Sequence, residues 1–256
     1  MAATGDSRYG DSMERVLYNT ILGAPPMKPD GTAFYYSDYN DRGAKAFFEL
    51  KCPCCSGTLG QILADYGMSA YLVDEHRILV NLYAPSRLSW RQGGRNVTLE
   101  QRTAYPLGSE VTIVVKTATP EAFSIGLRIP AWAGSASALA VNGKRLEAPL
   151  TDGAFHEIQR TWNDGDRIEL TLVRPLRLEA VDEKHPQLLA IMQGPLALFA
   201  VGNRFLPFSR SDLLNVHQTS AGSSEWRIST GDGVQLFKPY FAVSSETTRL
   251  YQPVSA

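Results

Sequence analysis

The first part of the chain contains two stretches in which apolar residues recur at the spacing of an amphipathic helix. In Ser12–Leu22, the stripe runs through positions i, i+3, i+4, i+7 and i+8 counted from Met13. Asp11 or Ser12 is predicted to cap the start of this helix, and the prolines that follow are predicted to end it. The second stretch, Ser56–Tyr71, has the same spacing. The sequence therefore predicts two helices before residue 76.

From Arg77 onward the pattern changes to short runs in which apolar and polar residues alternate, which is typical of strands. The aromatic run Phe34–Tyr39 is also predicted to be extended. Asn142-Gly143 is the residue pair that a type I′ hairpin turn favours, because both of its positions take positive φ. Asn163–Asp166 is a second tight-turn signal. The strands predicted after Arg77 are Ile78–Tyr83, Val97–Gln101, Val111–Lys116, Phe123–Ile129, Leu139–Asn142, Phe155–Trp162, Arg167–Leu172, two pieces within Leu188–Phe199, and Leu236–Val243.

This order of elements predicts a mixed, mainly β chain. Residues 1–75 are expected to form helices with a short β excursion, residues 76–175 an antiparallel β-sandwich, and residues 176–256 a second sandwich or C-terminal domain. Two helices bury too little apolar surface to close a core of their own. We therefore expect the helical segment to be the end of a larger helical body.

Charge and hydropathy exclude several classes of function. The 256 residues include 25 Lys and Arg against 26 Asp and Glu, a formal net charge of −1, whereas phosphate backbones are bound by a clustered basic excess. No run reaches the roughly 18 apolar residues that span a bilayer. The N-terminus lacks the basic and apolar regions of a signal peptide. We expect a cytoplasmic protein with neither a nucleic-acid nor a membrane partner.

The three cysteines of the chain fall within four residues, at Cys52, Cys54 and Cys55. Disulfide frameworks close loops with cysteines spread along the chain, so this cluster argues against one. A helix N-terminus favours the thiolate, the form that attacks carbon or binds Zn²⁺. Cys54 and Cys55 suit two corners of a tetrahedral zinc site, but no local pair supplies the others. Small buried cysteines packing a helix start are the alternative.

Other candidates carry less specific signals. Asp65, Asp74 and Glu75 are close enough in sequence to suggest paired carboxylates for glycosidic chemistry, although solvated charges near a helix end explain them more simply. Tyrosines of the aromatic run at 34–39 suit the lining of a sugar pocket, but aromatic residues at a sheet edge more often belong to the core. These residues add no independent argument for one reaction.

A series of segments, taken in order, is similar to glycoside hydrolase family 127, the β-L-arabinofuranosidase-like proteins. The resemblance covers residue 4 to about residue 200, and the remaining residues fit the C-terminal domain of the family more loosely. It does not identify the sugar, because relatives differ in the sugars they hydrolyse. The segments are TGDSRYGDSMERVLYN, FYYSDYN, CPCCSGTLGQILADYG, VNLYAPS, LRIPAWA, VNGK, RTWNDGDRIEL and MQGPLALFA.

The resemblance implies the end of a catalytic (α/α)6 barrel followed by two β-sandwich domains, and hydrolysis with retention through a cysteine nucleophile. Cys54 matches the nucleophile of the family, which is also a zinc ligand, and Cys55 matches a second zinc ligand. Tyr36 matches an aromatic residue that lines the sugar site near the thiolate. Cys52 falls on a position that varies. The implied cofactor is Zn²⁺, and the implied partners are plant-type glycans or arabinose-containing oligosaccharides.

The resemblance also implies groups that this chain does not contain. In the family, the other two zinc ligands come from a Glu-x-Cys motif upstream of the TGDxRY segment, and the acid/base glutamate lies further upstream. We therefore expect a C-terminal portion of a family member, inactive in isolation, with the N-terminal half or a homodimer partner as its protein partner. A non-catalytic β-sandwich module for carbohydrate binding or oligomerisation is the alternative. A zinc or redox site unrelated to sugars is a third possibility.

Overall fold

The computed structural model describes residues 5–24, 30, 32–37, 42–48, 54–133 and 136–254. Helices in this part are α1 Arg8–Asn19, α2 Cys54–Met68 and α3 Arg210–Leu213, with 3₁₀ turns at Ile21–Gly23 and Tyr240–Ala242. None of the described helices is long and apolar enough to cross a membrane. The strands are β1 Ala33–Ser37, β2 Lys45–Phe48, β3 Tyr71–Val73, β4 Arg77–Val80, β5 Ser86–Gln92, β6 Arg95–Thr103, β7 Glu110–Thr117, β8 Glu121–Ile129, β9 Ala138–Val141, β10 Lys144–Arg145, β11 Ala154–Trp162, β12 Arg167–Thr171, β13 Leu176–Ala180, β14 Leu188–Gln193, β15 Leu196–Val201, β16 His217–Gln218, β17 Trp226–Thr230, β18 Gly233–Pro239, β19 Thr248–Arg249 and β20 Tyr251–Pro253.

The predicted fold class is confirmed, since the chain is mainly β with few helices. The chain forms two compact units. Unit 1 consists of residues 1–14 and 65–174, and unit 2 of residues 15–64 and 175–256. The division into three domains at 75/76 and 175/176 stays a prediction, as does the helical barrel that the resemblance implies.

Unit 1 is built from two sheets in its described residues. One sheet has the strand order β10-β9-β12-β7-β6-β5, and the other has the order β11-β8-β4-β3. Alternate residues of β8 point into the core, where Phe123 contacts Trp90 of the first sheet at 5.2 Å and Trp162 of β11 at 6.1 Å between ring centroids. Both tryptophans are almost fully buried, so the alternating pattern that predicted the strands is the pattern of the core.

One strand pair of unit 1 departs from the expected antiparallel sandwich. β4 and β8 are parallel neighbours, with Ile78 opposite Ile125. The chain leaves β4, forms β5, β6 and β7 in the other sheet and returns in the same direction, and such a crossover makes the two strands parallel. The alternation of apolar residues within a strand says nothing about this long-range pairing.

The two predicted turns of unit 1 are confirmed, and they contact each other. Asn142 and Gly143 have φ values of 53° and 75°. The side chain of Asn142 donates to the carboxylate of Asp166 at 2.8 Å and accepts the backbone N–H of Arg167 at 2.8 Å. The asparagine therefore ties one hairpin turn to the next by side-chain hydrogen bonds.

The start and the buried face of α1 differ from the prediction. The helix begins at Arg8, so Asp11 lies inside its first turn instead of capping it. Val16, predicted to face the core, is 44% exposed, whereas Glu14 is 1% exposed. The apolar stripe did not mark the buried side, because that side of the helix faces a buried cation whose charge is balanced by carboxylates.

That cation is Arg128, on the outward face of β8 and fully buried. Its guanidinium pairs with Glu14 at 2.8 Å and with Asp11, and its Nε donates to the carbonyl of Asn81 at 2.6 Å. Burial by itself lowers the pKa of Arg128, but the carboxylates, Glu14 first, raise it above its ordinary value. Arg128 is therefore charged at all ordinary pH values.

Aromatic side chains complete the hydrogen bonding around this cluster. The hydroxyl of Tyr105 and the indole N–H of Trp132 donate to the two carboxylate oxygens of Glu14, the indole at 3.2 Å. The hydroxyl of Tyr83 donates to the backbone carbonyl of Arg128, and burial raises the pKa of Tyr83. A buried charge with this many donors and acceptors avoids much of the desolvation penalty of an isolated ion.

The main sheet of unit 2 has the order β13-β14-β15-β18-β17-β16, with β19 paired to β15 and β20 to β14. Phe199 and Tyr240 contact each other at 5.2 Å on one of its faces, and Gly23 lies against the ring of Tyr240, where a Cβ atom would be only 1.9 Å away. Asn19 of α1 donates to the carbonyl of Pro195 at 2.8 Å and accepts the N–H of Ala197 at 2.7 Å.

Replacing the buried cation tests whether the ion cluster stabilises unit 1. We expect Arg128→Met to lower the free energy of unfolding by about 3–5 kcal/mol, because it leaves Glu14 buried without its partner. Arg87→Met removes an exposed arginine from the same unit and is expected to change stability by less than about 0.5 kcal/mol. Urea unfolding monitored by tryptophan fluorescence measures both. Equal midpoints for the two variants would contradict the role of Arg128.

The approach of α1 to β8 depends on the absence of a side chain at Gly10. A Cβ atom there would lie 2.3 Å from Oδ1 of Asn81 and 2.5 Å from Cδ of Arg128. We expect Gly10→Ala to destabilise the protein by about 1–3 kcal/mol through overpacking. The matched helical variant Gly60→Ala meets no atom within 4 Å and is expected to stabilise by about 0.5–1 kcal/mol. Opposite shifts in thermal midpoint confirm this; equal shifts contradict it.

Candidate active site

The cysteine pair lies in the first turn of a helix, because the helix begins two residues before the stretch predicted from Ser56. Cys54 is the first residue of α2 and Cys55 the second, while Cys52 lies outside the described residues. The first backbone N–H groups of a helix have no partners within it and carry its positive partial charge. Both residues therefore have their backbone at a helix N-terminus, the kind of position at which proteins in general favour a thiolate over a thiol.

Tyr36 lies on β1, as the aromatic run predicted. β1 and β2 form an antiparallel pair in which Tyr36 is opposite Ala46, and the register shifts between Phe34 and Tyr36. A shift of this kind inserts an extra residue into one strand and increases its local twist. The backbone of the candidate sugar-site residue is thus held in an irregular stretch of a short hairpin.

This hairpin is fixed to the main sheet of unit 2 by three kinds of contact. Phe34 packs against the apolar cluster that contains Phe199 and Tyr240. The carbonyl of Gly43 accepts the backbone N–H of Thr248 at 2.7 Å and its hydroxyl at 3.0 Å. Lys45 supplies the third contact, through its charged side chain. None of these was singled out by sequence reasoning.

The amine of Lys45 is half-buried among backbone carbonyls. It donates to the carbonyl of Tyr240 at 2.9 Å and to that of Val243 at 2.5 Å, and it lies 4.4 Å from the centroid of the Tyr240 ring. Burial lowers the pKa of Lys45 to about 8, against the attraction of the Glu246 carboxylate. The sequence did carry a signal for this contact. Lys45 directly precedes the apolar residues Ala46–Phe48, and a charge beside a buried strand needs polar partners.

Glu246, whose carboxylate attracts Lys45, forms an ion pair with another lysine. Lys238 of β18 donates to its carboxylate at 2.7 Å, and the backbone N–H of Ser244 donates at 2.7 Å. Burial raises the pKa of Glu246, but the hydrogen bonds from Lys238 and Ser244 outweigh it and lower the pKa to about 2. The carboxylate is therefore ionised throughout the pH range in which Lys45 titrates.

The three carboxylates considered for glycosidic chemistry do not form a pair. Asp74 accepts the backbone N–H of His76 and pairs with Arg77 at 2.7 Å, and these contacts hold its pKa below the ordinary range. Asp65 and Glu75 are exposed. The simpler explanation, solvated charges near a helix end, fits these positions.

The described part of the chain contains no group of three or more His, Cys, Asp or Glu residues that could hold a metal ion. Two of the four histidines make local contacts on the surface. His185 pairs with Asp182 at 2.8 Å, and His217 accepts a hydrogen bond from Arg227 at 3.1 Å.

Several segments that carried the family resemblance supply buried structural contacts instead of site residues. Glu14 comes from the first segment, Asn81 from VNLYAPS, and Arg128 and Trp132 from LRIPAWA, and all four meet in the ion cluster of unit 1. Sequence reasoning identified the segments but missed this role. The sequence signal for this role was Arg128, a charged residue within the apolar run FSIGLRI, because arginine is rarely buried without a charged or polar partner.

Two family descriptions match the chain. The one described as "Beta-L-arabinofuranosidase, GH127 catalytic domain" matches residues 1–68. The one described as "Beta-L-arabinofuranosidase, GH127 middle domain" matches residues 77–174. Together they cover α1, α2 and the β strands of unit 1 from β4 onward.

Individual relatives agree with this match. A non-reducing end β-L-arabinofuranosidase of Bifidobacterium longum subsp. longum is 26% identical to this chain over an alignment of 217 positions, and the alignment covers 75% of this chain and 32% of that protein. The crystal structure of a GH127 β-L-arabinofuranosidase of Geobacillus stearothermophilus T6 has a TM-score of 0.78 at 21% identity, covering 99% of this chain and 47% of the other. A solved glycoside hydrolase has a TM-score of 0.75 at 24% identity, with coverages of 99% and 49%. The chain thus spans about a third to a half of the length of these relatives.

Alkylation tests whether the helix start activates the cysteine pair. We expect iodoacetamide at pH 7 to modify Cys54 or Cys55 several-fold faster than free glutathione, because the helix terminus favours the thiolate. Peptide mass spectrometry assigns the modified residue, and Cys54→Ser and Cys55→Ser report each thiol in the absence of the other. Rates equal to that of glutathione in every variant would contradict activation.

Proposed function

Because this chain belongs to glycoside hydrolase family 127, we propose that it is a glycosidase of the β-L-arabinofuranosidase type, with Cys54 as its nucleophile. The observation that carries the proposal is the Cys54-Cys55 pair in the first turn of α2, within the residues that match the catalytic domain of the family. An activated thiol at that position suits nucleophilic catalysis.

The substrate class follows from the names of the relatives. The curated relative is a non-reducing end β-L-arabinofuranosidase, and the solved relative from Geobacillus carries the same activity in its description. We therefore propose arabinose-containing glycans with terminal β-L-arabinofuranosyl groups as substrates. Since the chain covers 32% of the curated relative, the proposal concerns the activity to which these residues contribute.

The proposed reaction proceeds with retention in two displacements. In the first, the sulfur of Cys54 forms a bond to the anomeric carbon while the bond to the aglycone oxygen breaks and an acid gives that oxygen a proton. In the second, water attacks the anomeric carbon, gives up a proton to a base, and releases the sulfur as thiolate. Two inversions at one carbon return its original configuration.

Zinc is the cofactor that we propose, with Cys54 and Cys55 as two of its ligands. Their donor chemistry fits, because thiolates are the softest protein ligands and zinc binds them in tetrahedral sites. Two thiols fill two of the four corners, and the described residues contain no group of three or more His, Cys, Asp or Glu residues that could hold a metal ion. When bound, Zn²⁺ holds sulfur in the thiolate form at neutral pH.

Tyr36 is proposed to line the sugar site. Its backbone lies on a twisted, bulged strand, and aromatic rings suit sugars because they present an apolar face to the C–H groups and a hydroxyl to the polar edge. Tyr36→Ala is therefore expected to weaken sugar binding more than Tyr36→Phe does.

A covalent trapping experiment tests the nucleophile. The full chain is incubated with a nitrophenyl β-L-arabinofuranoside, whose leaving group departs with little help from an acid, so that a chain that does not turn over a glycan is still able to carry out the first displacement. We expect Cys54 to gain the mass of one anhydropentose, detected on its peptide by mass spectrometry, because the first displacement makes a thioglycoside. Cys54→Ala should abolish the adduct.

Cys52→Ala is the matched control, since it removes a thiol of the same cluster that has no proposed role, and it should leave the adduct unchanged. An adduct that persists in Cys54→Ala would contradict the assignment of the nucleophile. Sugar binding without an adduct in the wild-type chain would favour the alternative, a non-catalytic carbohydrate-binding module.

A further inference from the structure

The hairpin that carries Tyr36 is anchored to a short segment of the C-terminal sheet region. Lys45 donates to the carbonyls of Tyr240 and Val243, and Gly43 accepts from Thr248. These acceptors and donors fall within residues 240–248. Two strands alone are marginally stable in water, so such a hairpin takes its order from what it contacts.

We propose that Lys45 is a positioning residue, whose amine holds the Tyr36 hairpin on the Tyr240 and Val243 carbonyls and thereby shapes the sugar site. The inference rests on the proposed function, because it concerns the same sugar site. Lys45 is opposite Ser37 in the register, one pair away from Tyr36 and Ala46. A shift of the lysine strand therefore moves the backbone at Tyr36.

The arrangement of hydrogen-bond acceptors around Lys45 suits the neutral amine of its side chain more than the charged ammonium. Two carbonyls face the nitrogen, and a neutral amine has two N–H groups to donate to them. The charged form has a third N–H group, which loses hydration in this half-buried place. The Tyr240 ring compensates in part, because a cation is attracted to the face of an aromatic ring.

Charged and titratable groups of neighbouring described residues bear on the titration of Lys45. Glu246 acts on it electrostatically, and Lys238 keeps that carboxylate paired and ionised. Glu225 lies 3.5 Å from the amine of Lys238. The titratable side chains in the apolar cluster beneath the hairpin are Tyr240 and Tyr251.

The sign of the pH dependence follows from the lowered pKa. In a detached hairpin Lys45 has its ordinary pKa of about 10.5, and in the docked hairpin its pKa is about 8. Docking therefore releases a proton between these two pH values. The docking equilibrium should strengthen with rising pH by at most about tenfold per pH unit in this window, and the neutral amine should hold the hairpin best.

Hydrogen exchange of the β1 and β2 amides measures the docking of the hairpin in the full chain. After correction for intrinsic rates, we expect the protection of wild-type β1 and β2 to rise between pH 7.5 and 9.5. Lys45→Met should exchange about tenfold faster there at pH 9, where the neutral amine of the wild type makes two hydrogen bonds that methionine cannot make, and its protection should not change with pH.

Lys184→Met, which replaces an exposed lysine of the same unit, is the matched control and should behave as the wild type does. Exchange from β11 and β8 of unit 1 should be equal in all three proteins, which shows that the variants fold. Unchanged hairpin protection in Lys45→Met, or a pH response equal to that of the wild type, would overturn the proposal.

Titration with methyl β-L-arabinofuranoside, followed by NMR, connects docking to the sugar site. We expect Lys45→Met to bind the sugar about tenfold more weakly than the wild type and Lys184→Met to bind it equally well. Equal binding by Lys45→Met would overturn the positioning role. A wild-type chain that binds no sugar while its hairpin remains protected would overturn the proposed function instead.

Discussion

The structure of unit 1 depends on one buried cation. Arg128 points away from the sandwich core and is nevertheless fully buried, so its charge has to be balanced by groups that cover the outer face of β8. Asp11 and Glu14 of α1 provide the balance. This requirement explains why the buried face of α1 carries carboxylates, why Gly10 leaves room for the arginine stem, and why the stripe of apolar residues did not mark the buried side. An unpaired charge in this place would destabilise the fold by several kcal/mol.

The same cluster explains what the family resemblance measures. Four of its members come from three segments that are far apart in the sequence: Glu14 from the first segment, Asn81 from VNLYAPS, and Arg128 and Trp132 from LRIPAWA. Residues of this kind stabilise the fold of unit 1. The residues proposed to contact substrate or metal are Cys54, Cys55 and Tyr36 alone, so the match identifies a family more readily than it identifies a substrate.

Local patterns predicted those parts of the fold that depend on local physics. Alternation located most of the strands, and Asn142-Gly143 located a turn, because both depend on neighbours in the sequence. Ser86–Gln92 forms β5 but was not predicted, since its outward positions are polar and only Leu88 and Trp90 alternate with them. The parallel pairing of β4 with β8 has no local signature. The cysteine pair could be placed near a helix start, because the helical spacing of apolar residues that begins at Ser56 is a local feature and the cysteines directly precede it.

The candidate site and the C-terminal sheet belong to the same compact unit, although the match to the catalytic domain ends at residue 68 and the match to the middle domain covers 77–174. The contacts of the hairpin explain this grouping. Residues after 175 supply the partners of the hairpin. They are an apolar cluster for Phe34, the Thr248 side chain for Gly43, and the Tyr240 carbonyl for Lys45. The β1–β2 pair has too few residues to order itself. The free energy that orders the strand carrying Tyr36 therefore comes in large part from the C-terminal sheet and from the segment 240–248, outside the residues matched to the catalytic domain.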